Sequence, residues 1–253
     1  MPRAATPVPE GTSPPPAEAQ HLEALGRGTI RLGGRLPWSS NATFLVLVGE
    51  GVDSLPAVYK PARGERPLWD FPSGSLHRRE EAAFIVSEAV GWHLVPATVV
   101  REGPLGSGAI QRFVPHDPEL HYLAMDSPPA AVVARIAAFD IVVNNADRKS
   151  GHVLADETGR LWCIDHGLTF HVEPKLRTVI WEQAGQPIAH DVAADLGRLQ
   201  EALAAGSALD NRLAAILSPR EMAALRARLA ALVSAGRFPA ASAHRREVPW
   251  PPV

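Results

Sequence analysis

The sequence has one cysteine, no long uninterrupted apolar run and no excess of either charge. A single cysteine, Cys163, excludes an intrachain disulfide and a multi-cysteine zinc site, and it fits a reducing compartment. Because 25 lysines and arginines nearly balance 27 aspartates and glutamates, no global charge draws the chain to nucleic acid or to an anionic membrane. Charges interrupt every apolar stretch, and the first residues lack a signal-peptide pattern. We therefore expect a cytoplasmic protein with no membrane span and no nucleic-acid partner.

Large apolar side chains are scarce at both ends of the chain. Residues 1–20 are rich in proline, alanine and glutamate, and residues 238–253 are rich in proline, arginine and histidine. Such segments bury too little apolar surface to offset the entropy lost on ordering. The sequence therefore predicts a disordered tail over residues 1–20 and a flexible tail over residues 238–253.

The first half of the chain has the pattern of a sheet interrupted by one helix. Strand-like segments lie within residues 28–61, and two more lie at residues 97–101 and 109–114. Residues 76–90 contain neither proline nor glycine and are rich in helix formers, which predicts a helix. We expect residues 21–115 to form a small β-rich lobe.

The second half has a mainly helical pattern. Helices are predicted at residues 130–143 and 219–235, and a stripe of apolar side chains indicates another between residues 192 and 203. Two short apolar segments, 152–154 and 161–164, predict a small strand pair between these helices. We expect residues 116–237 to form a larger, mostly α-helical lobe, so that the fold class is α+β with two lobes.

Two acids in polar segments carry the strongest functional signal. Asp147 lies in Asn-Asn-Ala-Asp-Arg-Lys-Ser-Gly-His, directly after a predicted helix, and Asp165 lies in Ile-Asp-His-Gly-Leu, after the strand pair. This order is the layout of a kinase catalytic loop followed by a metal-binding loop. Taken alone, each acid could equally be a turn residue.

A lysine and a glutamate complete the pattern. Lys60 closes an apolar strand, and Glu80 shares a helix stripe with the small residues Ala83 and Ser87, whereas Glu81 lies on a wetter face. Glu80 is therefore the better partner for an inward-pointing lysine. In kinases this ion pair holds the lysine against the ATP phosphates.

These segments resemble the Asp-Arg-His loop and the Asp-Phe-Gly equivalent of phosphatidylinositol 3/4-kinases and HipA-type kinases, in particular actinobacterial proteins of that type. The resemblance covers residues 28–185 and implies a protein-kinase-like fold whose N-terminal lobe contains one helix. It implies that Asp147 orients or deprotonates the acceptor hydroxyl, that Asp165 binds Mg²⁺ or Mn²⁺, and that Lys60, paired with Glu80, contacts the phosphates of ATP.

The same resemblance implies two sets of nucleotide contacts. A polar turn between the first strands would cover the phosphates, and a hinge segment would present backbone groups to adenine. The residues of the turn are Ser39, Ser40 and Asn41, and those of the hinge are Gln111, Phe113 and Val114.

His152 departs from the pattern because it stands where these families usually have a metal-binding asparagine. It would either ligate the metal beside Asp165 or hydrogen-bond the loop around Asp147. His166 likewise stands where many members have phenylalanine.

The favoured function is an ATP-dependent phosphotransferase that acts on a protein or small-molecule hydroxyl. A lipid acceptor ranks lower because the sequence shows no basic amphipathic helix or polybasic cluster. A nucleotide-binding pseudokinase scaffold is the alternative from another class. A metal-dependent hydrolase that uses Asp147, His152 and Asp165 as ligands ranks last, because it leaves Lys60 and Glu80 without a role.

Overall fold

A five-stranded antiparallel sheet dominates the first lobe of the computed structural model, which describes residues 16–37, 39, 41–241 and 247–253. The strand order is β1-β2-β3-β5-β4. The strands are β1 (Ile30–Arg35), β2 (Phe44–Val48), β3 (Leu55–Pro61), β4 (Thr98–Gly103) and β5 (Gly106–Arg112). Neighbouring residues of a strand point to opposite faces, so Tyr59 and Lys60 of β3 face different helices.

Two helices flank the sheet, α1 (Pro16–Arg27) and α2 (Leu76–Ala89). Leu25 of α1 is fully buried in one cluster with Tyr59, whereas α2 lies on the face of Lys60. The expectation of a single helix in this lobe is therefore wrong.

Residues 16–20, expected to be disordered, form the first turns of α1. The reason is the buried side chain of Glu18, whose contacts cannot be inferred from the composition of the tail. Glu18 accepts a hydrogen bond from the backbone N–H of Ala97 at 3.0 Å and pairs with Arg112 at 3.0 Å, which anchors the helix to the sheet. Residues 1–15 lie outside the described residues.

The second lobe is mainly helical, as its pattern predicts. It contains α3 (Ala130–Val143), α4 (His190–Ala202), α5 (Ala208–Ala214), α6 (Pro219–Ala235) and a two-stranded ladder of β6 (Val153–Ala155) with β7 (Leu161–Cys163). Phe84 of α2 and Phe139 of α3 belong to one large core cluster, so α2 packs against both lobes. No helix among these described segments is both long and apolar enough to cross a bilayer.

The tail over residues 238–253, expected to be flexible, makes contacts with the second lobe where the structure describes it. Phe238 is buried, and its backbone N–H donates to the carbonyl of Gln186. The carbonyl of Pro252 accepts a hydrogen bond from the N–H of Ser150 at 2.8 Å. The apolar Phe238 side chain and these backbone bonds hold the segment against the second lobe. Residues 242–246 lie outside the described residues.

Candidate active site

Lys60 is placed between two carboxylates that the chain brings from distant positions. Its Nζ lies 2.5 Å from Oε1 of Glu80 on α2 and 3.1 Å from Oδ1 of Asp165 in the loop after β7. Burial by itself would lower the pKa of Lys60, but the charges of Asp165 and Glu80 raise it above its ordinary value. Burial would raise the pKa of Asp165, but the positive charge of Lys60 holds it well below its usual range. The lysine is therefore cationic and Asp165 is ionised.

Glu80 also holds the loop that carries Asp165. Its Oε2 accepts a hydrogen bond from the backbone N–H of His166 at 2.9 Å. The neighbouring Arg79 donates to the carbonyl of Thr169 at 2.6 Å and forms a buried ion pair with Glu221 at the start of α6. Both contacts fix α2 against the second lobe, with Glu80 turned inward.

The backbone at Asp165 has the left-handed conformation, with φ of 60°. Among residues other than glycine, aspartate and asparagine adopt this region most readily. The Asp165 side chain at this turn contacts Lys60 through Oδ1 and His152 through Oδ2.

Arg148 is fully buried and organises the loop of residues 144–152, which connects α3 to β6. Its guanidinium forms a bidentate pair with the buried Asp140 of α3, with Nε 3.0 Å from Oδ2 and Nη2 2.9 Å from Oδ1. Its Nη1 donates to the carbonyls of His152 and Ile164, and its Nη2 donates to Nε2 of His166 at 2.7 Å. One side chain thus ties the loop of Asp147 to the loop of Asp165.

Asp147 lies at the exposed side of this loop, with 28% of its side chain accessible. Burial, and next the negative charge of Asp165, raises its pKa to about 6, although Lys149 and Arg177 oppose the change. A carboxylate that titrates near neutral pH suits a general base.

His152 makes a backbone hydrogen bond through one ring nitrogen and faces Asp165 with the other. Its Nδ1 lies 2.9 Å from the backbone carbonyl of Asp147 and 3.4 Å from the N–H of Lys149, so the shorter contact assigns the proton to Nδ1. Burial lowers the pKa of His152 to about 4, so the ring is neutral at pH 7. Its Nε2 lone pair then faces Oδ2 of Asp165 at 3.3 Å. Two acceptors at this distance fit a cation between them, and ligating histidines commonly donate their other N–H to a carbonyl.

The structure brings part of the predicted phosphate-covering turn to this centre. Ser39 and Asn41 line the same cavity as Lys60, Glu80 and Asp165. Hydrogen bonds already occupy both side chains, because Ser39 Oγ meets Thr43 Oγ1 at 2.7 Å and Asn41 Oδ1 accepts from the N–H of Arg66 at 2.9 Å. Ser40 lies outside the described residues.

The predicted hinge residues do not line that cavity. Gln111 is buried and donates its side-chain amide to Thr98 Oγ1 at 2.9 Å, and its backbone pairs with both neighbouring strands. Val114 is buried among apolar side chains, and Phe113 lines a separate open depression. Their contact with adenine stays a prediction.

Sequence reasoning missed Asp140, Arg148 and Arg79, although one signal was visible. Asp140 stands in an otherwise apolar stretch of α3, and a buried acid requires a partner of opposite charge. That requirement points to a nearby arginine, and the structure shows that Arg148 of the following loop meets it, not the nearer Arg135, which pairs with Asp191.

Two solved structures resemble the chain along most of its length. A structure of hydra Fam20 with sugar superimposes with a TM-score of 0.54 at 16% identity, covering 85% of this chain and 86% of the other. The Helicobacter pylori proinflammatory kinase CtkA superimposes with a TM-score of 0.52 at 10% identity, covering 83% of this chain and 94% of the other. At these identities the likeness shows the fold alone, and that fold is the predicted two-lobed, kinase-like α+β fold.

A curated relative aligns with nearly the whole chain. Protein Rv2133c of Mycobacterium tuberculosis is 40% identical over 262 aligned positions, which cover 90% of this chain and 93% of the relative. Phosphatidylinositol 4-kinase gamma 4 of rice is 30% identical over 48% of this chain and 25% of its own length. Phosphatidylinositol 4-kinase gamma 5 of Arabidopsis thaliana is 33% identical over 33% of this chain and 15% of its own length. No family model matches the chain.

Proposed function

Since the chain belongs to the family of the Mycobacterium tuberculosis protein Rv2133c, a family with a kinase-like fold, we propose that it is an ATP-dependent phosphotransferase. The observation that carries the proposal is the position of Lys60 between Glu80 and Asp165. In kinases a lysine held by a helix glutamate contacts the nucleotide phosphates. The partial matches to two plant phosphatidylinositol 4-kinases support the same assignment.

The assembled ion pair favours an active enzyme over a pseudokinase scaffold. Glu80 faces inward and binds both Lys60 and the loop of Asp165, which is the arrangement that kinase catalysis requires. A metal-dependent hydrolase is not favoured, because the described residues contain no group of three or more histidine, cysteine or carboxylate side chains that could hold a metal.

In this proposal each working residue has one role. Lys60 binds the phosphates, Glu80 orients Lys60, and Asp147 orients or deprotonates the acceptor hydroxyl. Asp165 and His152 are the residues that would hold Mg²⁺ or Mn²⁺, which would neutralise phosphate charge when bound. Two protein ligands suffice, because such ions complete their coordination with phosphate oxygens and water. The acceptor is a protein or small-molecule hydroxyl, with lipid ranked lower.

ATP with a divalent metal should stabilise the protein against heat. Ligand at one hundred times its Kd adds about 2.7 kcal/mol. For a chain of this size that corresponds to a rise of roughly 5–10 °C in Tm. Differential scanning fluorimetry with millimolar ATP and Mg²⁺ or Mn²⁺ measures the shift, and ATP with EDTA is the matched control. A Tm that stays unchanged in both metals would count against the proposed function.

The His152→Asn variant should shift the metal preference towards Mg²⁺. An imidazole nitrogen suits Mn²⁺ better than it suits Mg²⁺, whereas an amide oxygen suits Mg²⁺. The wild-type protein should therefore bind a non-hydrolysable ATP analogue more tightly with Mn²⁺, and the variant should narrow or reverse that ratio. Isothermal titration calorimetry with each metal gives both affinities without turnover. If the ratio of the affinities measured with Mn²⁺ and with Mg²⁺ were the same in both proteins, His152 would not be a metal ligand, and its role would be the hydrogen bond to the carbonyl of Asp147.

A further inference from the structure

A second cavity, of about 490 Å³, lies between the end of α3, residues 174–177 and α6. Its volume falls in the range of sites for small ligands. Among the described residues of its lining, three side chains are cationic, Lys175, Arg177 and Arg228. Glu247 is the single acid among the described residues of the lining.

Arg228 is a largely buried cation without a counter-ion. Its Nε donates to the carbonyl of Val142 at 3.0 Å and its Nη1 to the carbonyl of His171 at 3.1 Å. Its Nη2 is buried and has no hydrogen-bond partner, so Glu247 does not neutralise it by contact. Burial lowers the pKa of Arg228 to about 10, and no neighbouring acid offsets this effect. A buried, unpaired guanidinium is costly unless an anion binds it.

Of the two other cationic side chains in the lining, Lys175 already has a counter-ion, whereas Arg177 has none in the described structure. Lys175 pairs with Asp70 at 2.9 Å and lies over the ring of Trp69. Arg177 is exposed, and the described structure shows no ion pair for its side chain. Arg177 can therefore donate to a ligand in the cavity, and the uncompensated charge of Arg228 at the cavity wall favours an anion there.

The cavity lies beside the proposed catalytic loop. The backbone N–H of Arg177 donates to the carbonyl of Asn145 at 2.9 Å, and its carbonyl accepts from the N–H of Arg148 at 3.0 Å. These two bonds flank Asp147, and the charge of Arg177 is one of those that lower the pKa of this acid. A ligand held by Arg177 is thus close to the residue proposed to act on the acceptor.

We propose that this cavity binds a small-molecule alcohol through an anionic group, a phosphate or a carboxylate that Arg177 holds by hydrogen bonds and that the uncompensated charge of Arg228 attracts. Guanidinium groups match both anions with two parallel hydrogen bonds. That this ligand is the phosphoryl acceptor rests on the proposed function. The binding of an anion in the cavity does not depend on that function.

The test measures the binding of inorganic phosphate and of acetate to the full chain, by isothermal titration calorimetry at constant ionic strength. A non-hydrolysable ATP analogue with Mg²⁺ is present throughout, so that the nucleotide site is filled. Arg228→Gln should weaken binding by about tenfold, because the uncompensated charge that attracts the anion is lost. Arg220→Gln, which removes an exposed charge from the same helix, should leave affinity unchanged. Arg177→Gln should weaken binding severalfold. It is the second test of the anion site if Arg228→Gln does not fold.

The anion site would be overturned if a folded Arg228→Gln or Arg177→Gln variant bound both anions as tightly as the wild-type protein does. It would also be overturned if the wild-type protein bound neither anion. Binding of phosphate but not acetate would identify the ligand as a phosphate ester, and the reverse as a carboxylic acid. If the ATP analogue fails to bind while phosphate binding still depends on Arg228, the proposed function falls and the anion site stands.

Discussion

Replacing Asp147 with asparagine should lower the rate of phosphoryl transfer by at least about 10²-fold and leave nucleotide affinity within a factor of about two. General-base catalysis contributes roughly 10²–10⁴-fold to a rate. An amide keeps the shape of the side chain but cannot accept the hydroxyl proton. The measurement is transfer from γ-labelled ATP, together with calorimetric binding of a non-hydrolysable analogue.

The matched variants are Asp165→Asn and Lys60→Met. Asp165→Asn should weaken metal-dependent nucleotide binding as well as transfer, because Asp165 is the proposed metal ligand. Lys60→Met should lower transfer strongly and affinity modestly, since Lys60 contacts the phosphates in the proposal. If Asp147→Asn and Asp165→Asn reduced binding and transfer to the same extent, the proposed division of roles would be wrong. A parallel reaction with α-labelled ATP tests whether the nucleotidyl group is transferred instead.

The largest loss of stability should follow from Arg148→Met. The substitution leaves the fully buried Asp140 without its counter-ion, and breaking one side of a buried pair costs about 3–5 kcal/mol. For a chain of this size, Tm should fall by on the order of 10 °C. Two carbonyls and Nε2 of His166 also lose their donor, so the cost should lie towards the upper end. Thermal unfolding followed by circular dichroism measures the change.

The control is the double variant Arg148→Met, Asp140→Leu. Removing both charges relieves the unpaired carboxylate, so the double variant should be more stable than Arg148→Met alone. It should still be deficient in transfer, because the loops of Asp147 and Asp165 lose their common tie. A double variant as unstable as the single one would show that the pair with Asp140 is not the main contribution of Arg148. Arg220→Met, at an exposed position, should be neutral in the same assay.

The types and order of most elements could be predicted from local sequence. Helix α6 has the bounds predicted for it, 219–235, because Ser218 and Glu221 form both bonds of a capping box at its start and the left-handed Gly236 ends it. The absence of proline and glycine likewise predicts α2 and α3. These signals are local, because a helix depends on bonds and caps within a few residues.

Two helices were not predicted, for different reasons. The first turns of α1 lie in a stretch rich in proline and alanine, and they are stabilised by the contacts of Glu18 with Ala97 and Arg112, far along the chain. Helix α5 has seven residues, too few for a clear apolar period.

For the site, the sequence by itself determined which residue types were available and in what order: a lysine closing a strand, a glutamate on a helix and two acids around a strand pair. Only the tertiary structure decided that Lys60 meets both Glu80, 20 residues away, and Asp165, 105 residues away. It also decided that Arg148 is buried, and that His152 turns a neutral nitrogen towards Asp165. The physical reason is that caps and periodicity act within a few residues, whereas the pairing and burial of charges depend on which surfaces pack together.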